Sequence, residues 1–175
     1  MKKYILILLT FICLVSCSNG QNKKDVDYST EIMGCWRMVD MYYEVKSNYP
    51  EIDSLVLKDA QEFIERVKST SNTTKFFEDL VIDFDENGKP SKNPAVYFLK
   101  EDSLYTRGTF RQDESSARIT IKNDTLYLEM DSYREFKKVL RKQKKNREIP
   151  KDIKLEKMIR HAIAVRVGDC DQYQE

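Results

Sequence analysis

The sequence predicts an antiparallel up-and-down β-barrel of about eight strands, with one flanking helix inserted after the first strand. Three observations carry this. Apolar and polar residues alternate with period two along much of the 175-residue chain, as in strands with one buried face. Short polar turns such as Asp85-Glu86-Asn87-Gly88 and Asn123-Asp124 join the runs, and turns of this length link antiparallel neighbours. One early segment alone, 53–69, changes clearly to helical period. Meanders of this kind close into barrels or fold as sandwiches. The choice of a barrel rests on a short motif described below.

Ile32 to Val45 is the first strand, with Trp36, Met38 and Tyr42 on one face and Cys35, Val39, Met41 and Tyr43 on the other. Aromatic and apolar groups on both faces mean that each is at least partly buried. Tyr49-Pro50 breaks it. From Asp53 to Ser69, Leu57, Ala60, Ile64 and Val67 recur at helical spacing with Phe63 beside them. Asp53 or Ser54 suits the N-cap. Residues 69–74 are all Ser, Thr or Asn and read as a loop.

From Phe76 onward the chain is strand after strand. Leu80, Ile82 and Phe84 alternate with Val81 and Asp83, and Gly88 supplies a turn residue free to take positive φ. Ala95 to Leu99 is apolar throughout. Glu101-Asp102-Ser103 turns the chain into Leu104 to Arg111, where Tyr105, Arg107, Thr109 and Arg111 share a face. Ala117 to Lys122 and Leu126 to Asp131 flank Asn123-Asp124, a two-residue hairpin. Tyr133 to Leu140 reads as a further strand whose tail could turn helical. Lys142 to Lys157 is polar and basic and contains Pro150. Ile159, Ile163, Val165 and Val167 form one face of the last strand, with His161 among them, and Gly168-Asp169 ends it.

Residues 1–16 read as a secretory signal. Lys2 and Lys3 precede an uncharged apolar run, Tyr4 to Val15, which is shorter than the roughly 20 residues of a permanent span. Leu14-Val15-Ser16-Cys17 resembles the lipobox of bacterial lipoproteins, and the resemblance implies cleavage before Cys17 and acylation of that cysteine, palmitate included. Two or more acyl chains anchor a protein stably. Residues 17–30 then form a polar, flexible tether, and 31–175 form the barrel domain. Ser18 after the cysteine implies the outer membrane of the cell envelope.

The chain carries 30 basic and 29 acidic residues. That balance argues against a nucleic-acid binder, as does secretion. Cys13 leaves with the signal. Cys35 and Cys170 stand at opposite ends of the domain, which a closed barrel makes neighbours. They form a disulfide in an oxidising compartment, or they are two buried thiols.

Gly34-Cys35-Trp36 lies near the start of the first long strand. This Gly-x-Trp, ahead of a meander, resembles the lipocalin family and its relatives among envelope lipoproteins. The resemblance implies a barrel whose base the glycine bends and the indole plugs. It also implies an arginine from the last strand packed across that indole, a cation–π contact. Arg166 is the first candidate and Arg160 the second. The helix departs from the family pattern, in which the main helix follows the barrel, and reads as a lid or flank on the open end. The family's second signature is not clear in this sequence.

Other chemistry is weaker. Asp83-Phe84-Asp85-Glu86-Asn87-Gly88 opens like a calcium loop, but position twelve is Pro94 rather than a bidentate acid. His161, the one histidine, has no partner set with zinc or triad spacing. No metal or other cofactor is expected, and the chain does not read as an enzyme. Lys137, Lys138, Arg141, Lys142, Lys144, Lys145 and Arg147 form a basic cluster that suits either anionic headgroups or a solvated face. Trp36, Tyr42, Tyr97, Tyr105, Tyr127 and Arg166 are the candidate ligand-binding residues, although the tyrosines equally suit an outer girdle. The expected function is binding of a small apolar or amphipathic ligand in the barrel of an envelope-anchored lipoprotein. The alternative is a non-enzymatic interaction or assembly subunit with a filled barrel that docks an envelope protein.

Overall fold

The computed structural model describes residues 27–70, 72–109, 114–145, 148–168 and 170. The signal 1–16, Cys17 and the tether up to residue 26 lie outside the described residues. Eight antiparallel strands close in sequence order into a barrel. They are β1 (Gly34–Ser47), β2 (Thr73–Phe76), β3 (Leu80–Phe84), β4 (Ala95–Lys100), β5 (Ser103–Gly108), β6 (Glu114–Lys122), β7 (Thr125–Asp131) and β8 (Leu155–Val167). Helix α1 (Pro50–Ser69) joins β1 to β2, and helix α2 (Tyr133–Gln143) joins β7 to β8. No helix among the described residues is long and apolar enough to cross a membrane.

The strand number matches the expectation, but two members differ. Tyr133 to Leu140 is not a strand. Phe136, Val139 and Leu140 stand at helical spacing, and their helix packs on α1 and β8 with Phe136 2% exposed. In its place, Thr73–Phe76 forms β2, although half of it was expected in a loop. Four pairs with β1 and four with β3 hold it. Helix α1 begins at Pro50 rather than after an Asp53 or Ser54 cap, because a fixed φ and a missing N–H suit the first helical position. Asp53 instead accepts a hydrogen bond from the Ser47 amide, 3.1 Å away.

β1 pairs with β8 along its whole length but with β2 only over Gly34–Arg37. A bulge at Val39 interrupts the β1–β8 register between Met38 and Asp40. An extra residue reverses the inward and outward faces. Trp36 and Met38 therefore face the lumen before the bulge, and Met41, Tyr43 and Val45 face it afterwards. Tyr42, expected on the Trp36 face, is turned outward and is 46% exposed.

Two separate apolar clusters fill the interior. The base cluster holds Trp36, Phe76, Tyr97, Leu104, Ile119, Leu126 and Ala164, closed from below by Tyr28 and Ile32. The cap cluster holds Ile52 and Val56 of α1, Phe136 of α2 and Met158 of β8, with Tyr43 and Val45 against them. The two helices thus cover the end of the barrel opposite Trp36. Lys68 pairs with Asp40 at 2.7 Å and ties the end of α1 back to β1.

Candidate functional site

The base is built around Trp36, which is 1% exposed. Its indole Nε1 donates to the Ile32 carbonyl at 2.6 Å, and the Arg166 guanidinium lies 4.3 Å from the ring centroid. Arg166 also donates to the carbonyls of Met33 (2.7 Å) and Glu31 and to the Asp124 carboxylate (3.0 Å). Gly34 has φ +113, and a Cβ there would stand 2.9 Å from Arg166 Nη1. The glycine is thus required twice, for its backbone angle and for the close approach of the guanidinium. Cys35, pointing the opposite way from Trp36, is bonded to Cys170, with Cα atoms 5.6 Å apart. Phe84 and Ile82 cover the pair on the outer wall.

The six candidate ligand-binding residues do not converge. Trp36 and Arg166 seal the base. Tyr97 is inside, edge-on to Phe76 at 5.2 Å, with its hydroxyl donated to the Phe77 carbonyl. Burial, with Asp79 and Glu78 nearby, holds that hydroxyl above the usual tyrosine range. Tyr42, Tyr105 and Tyr127 face outward, by the bulge in the first case and by strand alternation in the other two. They line two depressions on the outer wall. One, of about 310 Å³, lies among Tyr42, Thr120, Tyr127, Glu129, His161 and Ile163 and reaches Leu128 and Ala162. The other, of about 180 Å³, lies among Val96, Phe98, Tyr105, Arg107 and Glu114. Phe98 stacks on Tyr105 at 4.8 Å and is 61% exposed.

His161 lies in the first of these depressions. Its ring stacks on Tyr42 at 4.5 Å, with Glu44 3.5 Å from Nε2 and Glu129 3.8 Å from Nδ1. No group of three metal-binding side chains is found among the described residues. Asp83 is held by the Thr74 hydroxyl at 2.7 Å, and Asp85 accepts from the Asn87 and Lys89 amides at 2.9 Å. The calcium-like sequence is therefore a hydrogen-bonded turn. In the basic cluster, Lys142 pairs with Asp59 at 2.6 Å and Lys137 lies over Tyr133, while the remaining described cations of α2 face solvent. Arg147 lies outside the described residues.

A second layer, which the sequence did not reveal, separates the base cluster from the cap. By register it presents Met38 and Met41 of β1, Leu128 and Met130 of β7, and Arg160 and Ala162 of β8 to the lumen. Met41 and Ala162 are buried, whereas Met38, Leu128 and Met130 keep accessible surface although they point inward. Leu128 also packs on the base cluster. Alanine is short and methionine adapts its shape, so this layer suits a variable apolar occupant. Arg160 is the cation in it. Its Nη2 lies 3.1 Å from the Met130 sulfur, its Nη1 lies 3.8 Å from Glu135 of α2, and its buried Nε has no hydrogen-bond partner. Tyr43 stands beside it. Burial raises the Tyr43 hydroxyl above its ordinary range, and Arg160 pulls it down in part.

No protein-family model matches the chain, and the search of curated proteins found no match either. Among solved structures, the chain is similar to the crystal structure of a mutant of the fluorescent protein UnaG. The two are 11% identical, with a TM-score of 0.36, over 79% of this chain and 98% of that one.

Proposed function

We propose that this protein is a non-catalytic binding module, lipocalin-like in kind, held at the bacterial cell envelope by lipid on Cys17. It takes a small apolar or amphipathic molecule between the base cluster and the helical cap. The middle layer, whose inward-facing Met38, Leu128 and Met130 are only partly buried, carries this reading. The Gly34–Trp36–Arg166 base supports the lipocalin-like part, since it has the features that the sequence resemblance implied. The lipobox Leu14–Cys17 supports the anchor, and Ser18 supports the outer membrane.

Native mass spectrometry tests the binding. A small molecule that co-purifies, and that is lost when Ala162→Phe fills the layer, is the expected result. An empty protein that takes up no apolar probe would refute it. Palmitate labelling that disappears in Cys17→Ser tests the anchor.

A second reading has its own observation. Tyr42 and Tyr127 expose rings at 46% and 42% beside His161 on one stretch of the outer wall, and on a separate stretch, at β4 and β5, Phe98 is 61% exposed and stacked on Tyr105. Large exposed apolar groups in clusters suit a protein partner. Cross-linking from that wall in the native envelope, abolished by Phe98→Glu with Ala162→Phe without effect, would favour an assembly role.

A further inference from the structure

The geometry points to a binding site for a small organic cation in the outer-wall depression between Tyr42 and Tyr127, where an alkylammonium group meets the two rings and the Glu129 carboxylate. The site lies outside the lumen and does not depend on the binding proposed there. Three neighbouring strands build it. His161 and Ile163 of β8 form its floor, with Tyr42 of β1 opposite His161 and Tyr127 of β7 opposite Ile163. The tyrosines therefore stand on either side of β8, and both are exposed. Glu129 of β7 faces His161 from the side away from Tyr42. The hollow of about 310 Å³ is at the small end of the range for ligand pockets.

The charges choose the class of ligand. Glu44, at the edge of the hollow, is held by Lys157 at 2.6 Å. Among the described residues, the one cationic group within 4 Å of Glu129 is His161, whose Nδ1 lies 3.8 Å away. Arg118, opposite Glu129 on β6, is turned to Asp102 at 3.3 Å. The imidazole is a loose partner for both acids, since its buried Nε2 makes no hydrogen bond. The hollow thus offers a carboxylate without a close counter-ion beside two aromatic rings. A ring face attracts a cation through its quadrupole, and the carboxylate adds a Coulomb attraction. An anion would meet two carboxylates. A neutral apolar ligand would cover Glu129 and leave it without a partner. His161 stacks on Tyr42 at 4.5 Å and so fixes that ring in place.

The experiment uses the full chain, without a histidine tag, in an alkyl maltoside. It is titrated at constant pH and ionic strength with choline and with dimethylbutanol, in which a tert-butyl group replaces trimethylammonium. The chain has a single histidine, so the imidazole proton signals of His161 report on this hollow alone. Choline should shift them saturably and bind about fivefold tighter than the alcohol, the combined size of an exposed cation–π contact and a surface charge pair. Glu129→Gln should weaken choline about threefold and leave the alcohol unchanged. Tyr127→Leu should also weaken choline, whereas Tyr105→Leu, in the other depression, should have no effect. Glycerophosphocholine should bind more weakly than choline, because its phosphate brings an anion towards the two acids. Emission from the single tryptophan, Trp36, reports that each variant is folded. No saturable shift with choline, equal binding of the alcohol, or a preference that survives Glu129→Gln would overturn the cation site. Tighter binding of glycerophosphocholine would overturn the free cation in favour of a lipid head group.

Discussion

Arg166 lies 4.3 Å from the centroid of the Trp36 ring, and the same guanidinium donates to carbonyls of the strand-leading segment Glu31–Met33. One side chain thus fastens the first strand, the last strand and the plug beneath them. Replacing it by Met keeps the apolar stem but loses the cation–π contact and the charged donors. With the side chain 31% exposed, Arg166→Met should cost about 2 kcal/mol, measured by urea denaturation followed through Trp36 emission. An unchanged midpoint would show that the base holds without the arginine.

Gly34→Ala should be destabilising by a separate route. It forces a Cβ onto a residue with φ +113 and brings it 2.9 Å from Arg166 Nη1. The backbone strain alone is about 1–2 kcal/mol. The loss should be smaller in an Arg166→Met background, because half of its cause is then gone. A double-mutant cycle measures that coupling.

The Cys35–Cys170 bond joins residues 135 apart. Closing so long a loop restricts the unfolded chain, and reduction should cost about 5 kcal/mol. Paired denaturation curves with and without a thiol reductant give the difference. Cys35→Ala with Cys170→Ala should match the reduced protein.

Asn123 and Asp124 both have positive φ, 51° and 54°, as a tight two-residue hairpin turn requires. Asn123→Gly should raise stability slightly, by about 0.5 kcal/mol. Asp124→Gly should not, because it also removes the carboxylate 3.0 Å from Arg166. Thermal melts of the two variants should therefore move in opposite directions.

Acid sensitivity should track Asp40. Its hydrogen bond with Lys68 holds its carboxyl below the usual range, and Lys68 is raised in turn. A lowered carboxyl stabilises the fold above its unfolded value near 4 and loses that contribution as pH falls through its folded value. The raised ammonium stabilises below its unfolded value near 10.4 and loses its share as pH rises through its folded value. The pair therefore acts between these limits. Asp40→Asn should flatten the acid limb of the stability curve, and a limb unchanged in that variant would assign it to other carboxylates.

The strands with strict alternation were legible from the sequence because each carries its own pattern. Leu126, Leu128 and Met130 read correctly as one face, and Asn123-Asp124 as a hairpin, since both are local properties. The glycine and indole of the base were also legible as a triplet. The short β2 was not, since Thr73 and Thr74 are strand residues only because β1 and β3 lie on either side.

Four features were settled by tertiary structure alone. The bulge at Val39 turned Tyr42 away from the lumen, and no residue in the sequence marks it. Packing on α1 and β8 made Tyr133–Gln143 a helix where its alternation also permitted a strand. Barrel closure brought Cys35 to Cys170. The layer between the two apolar clusters, with Arg160 in it, exists only where the levels of three strands coincide. Periodicity reports which face a residue takes relative to its neighbours in the chain, while register and closure decide what that face meets.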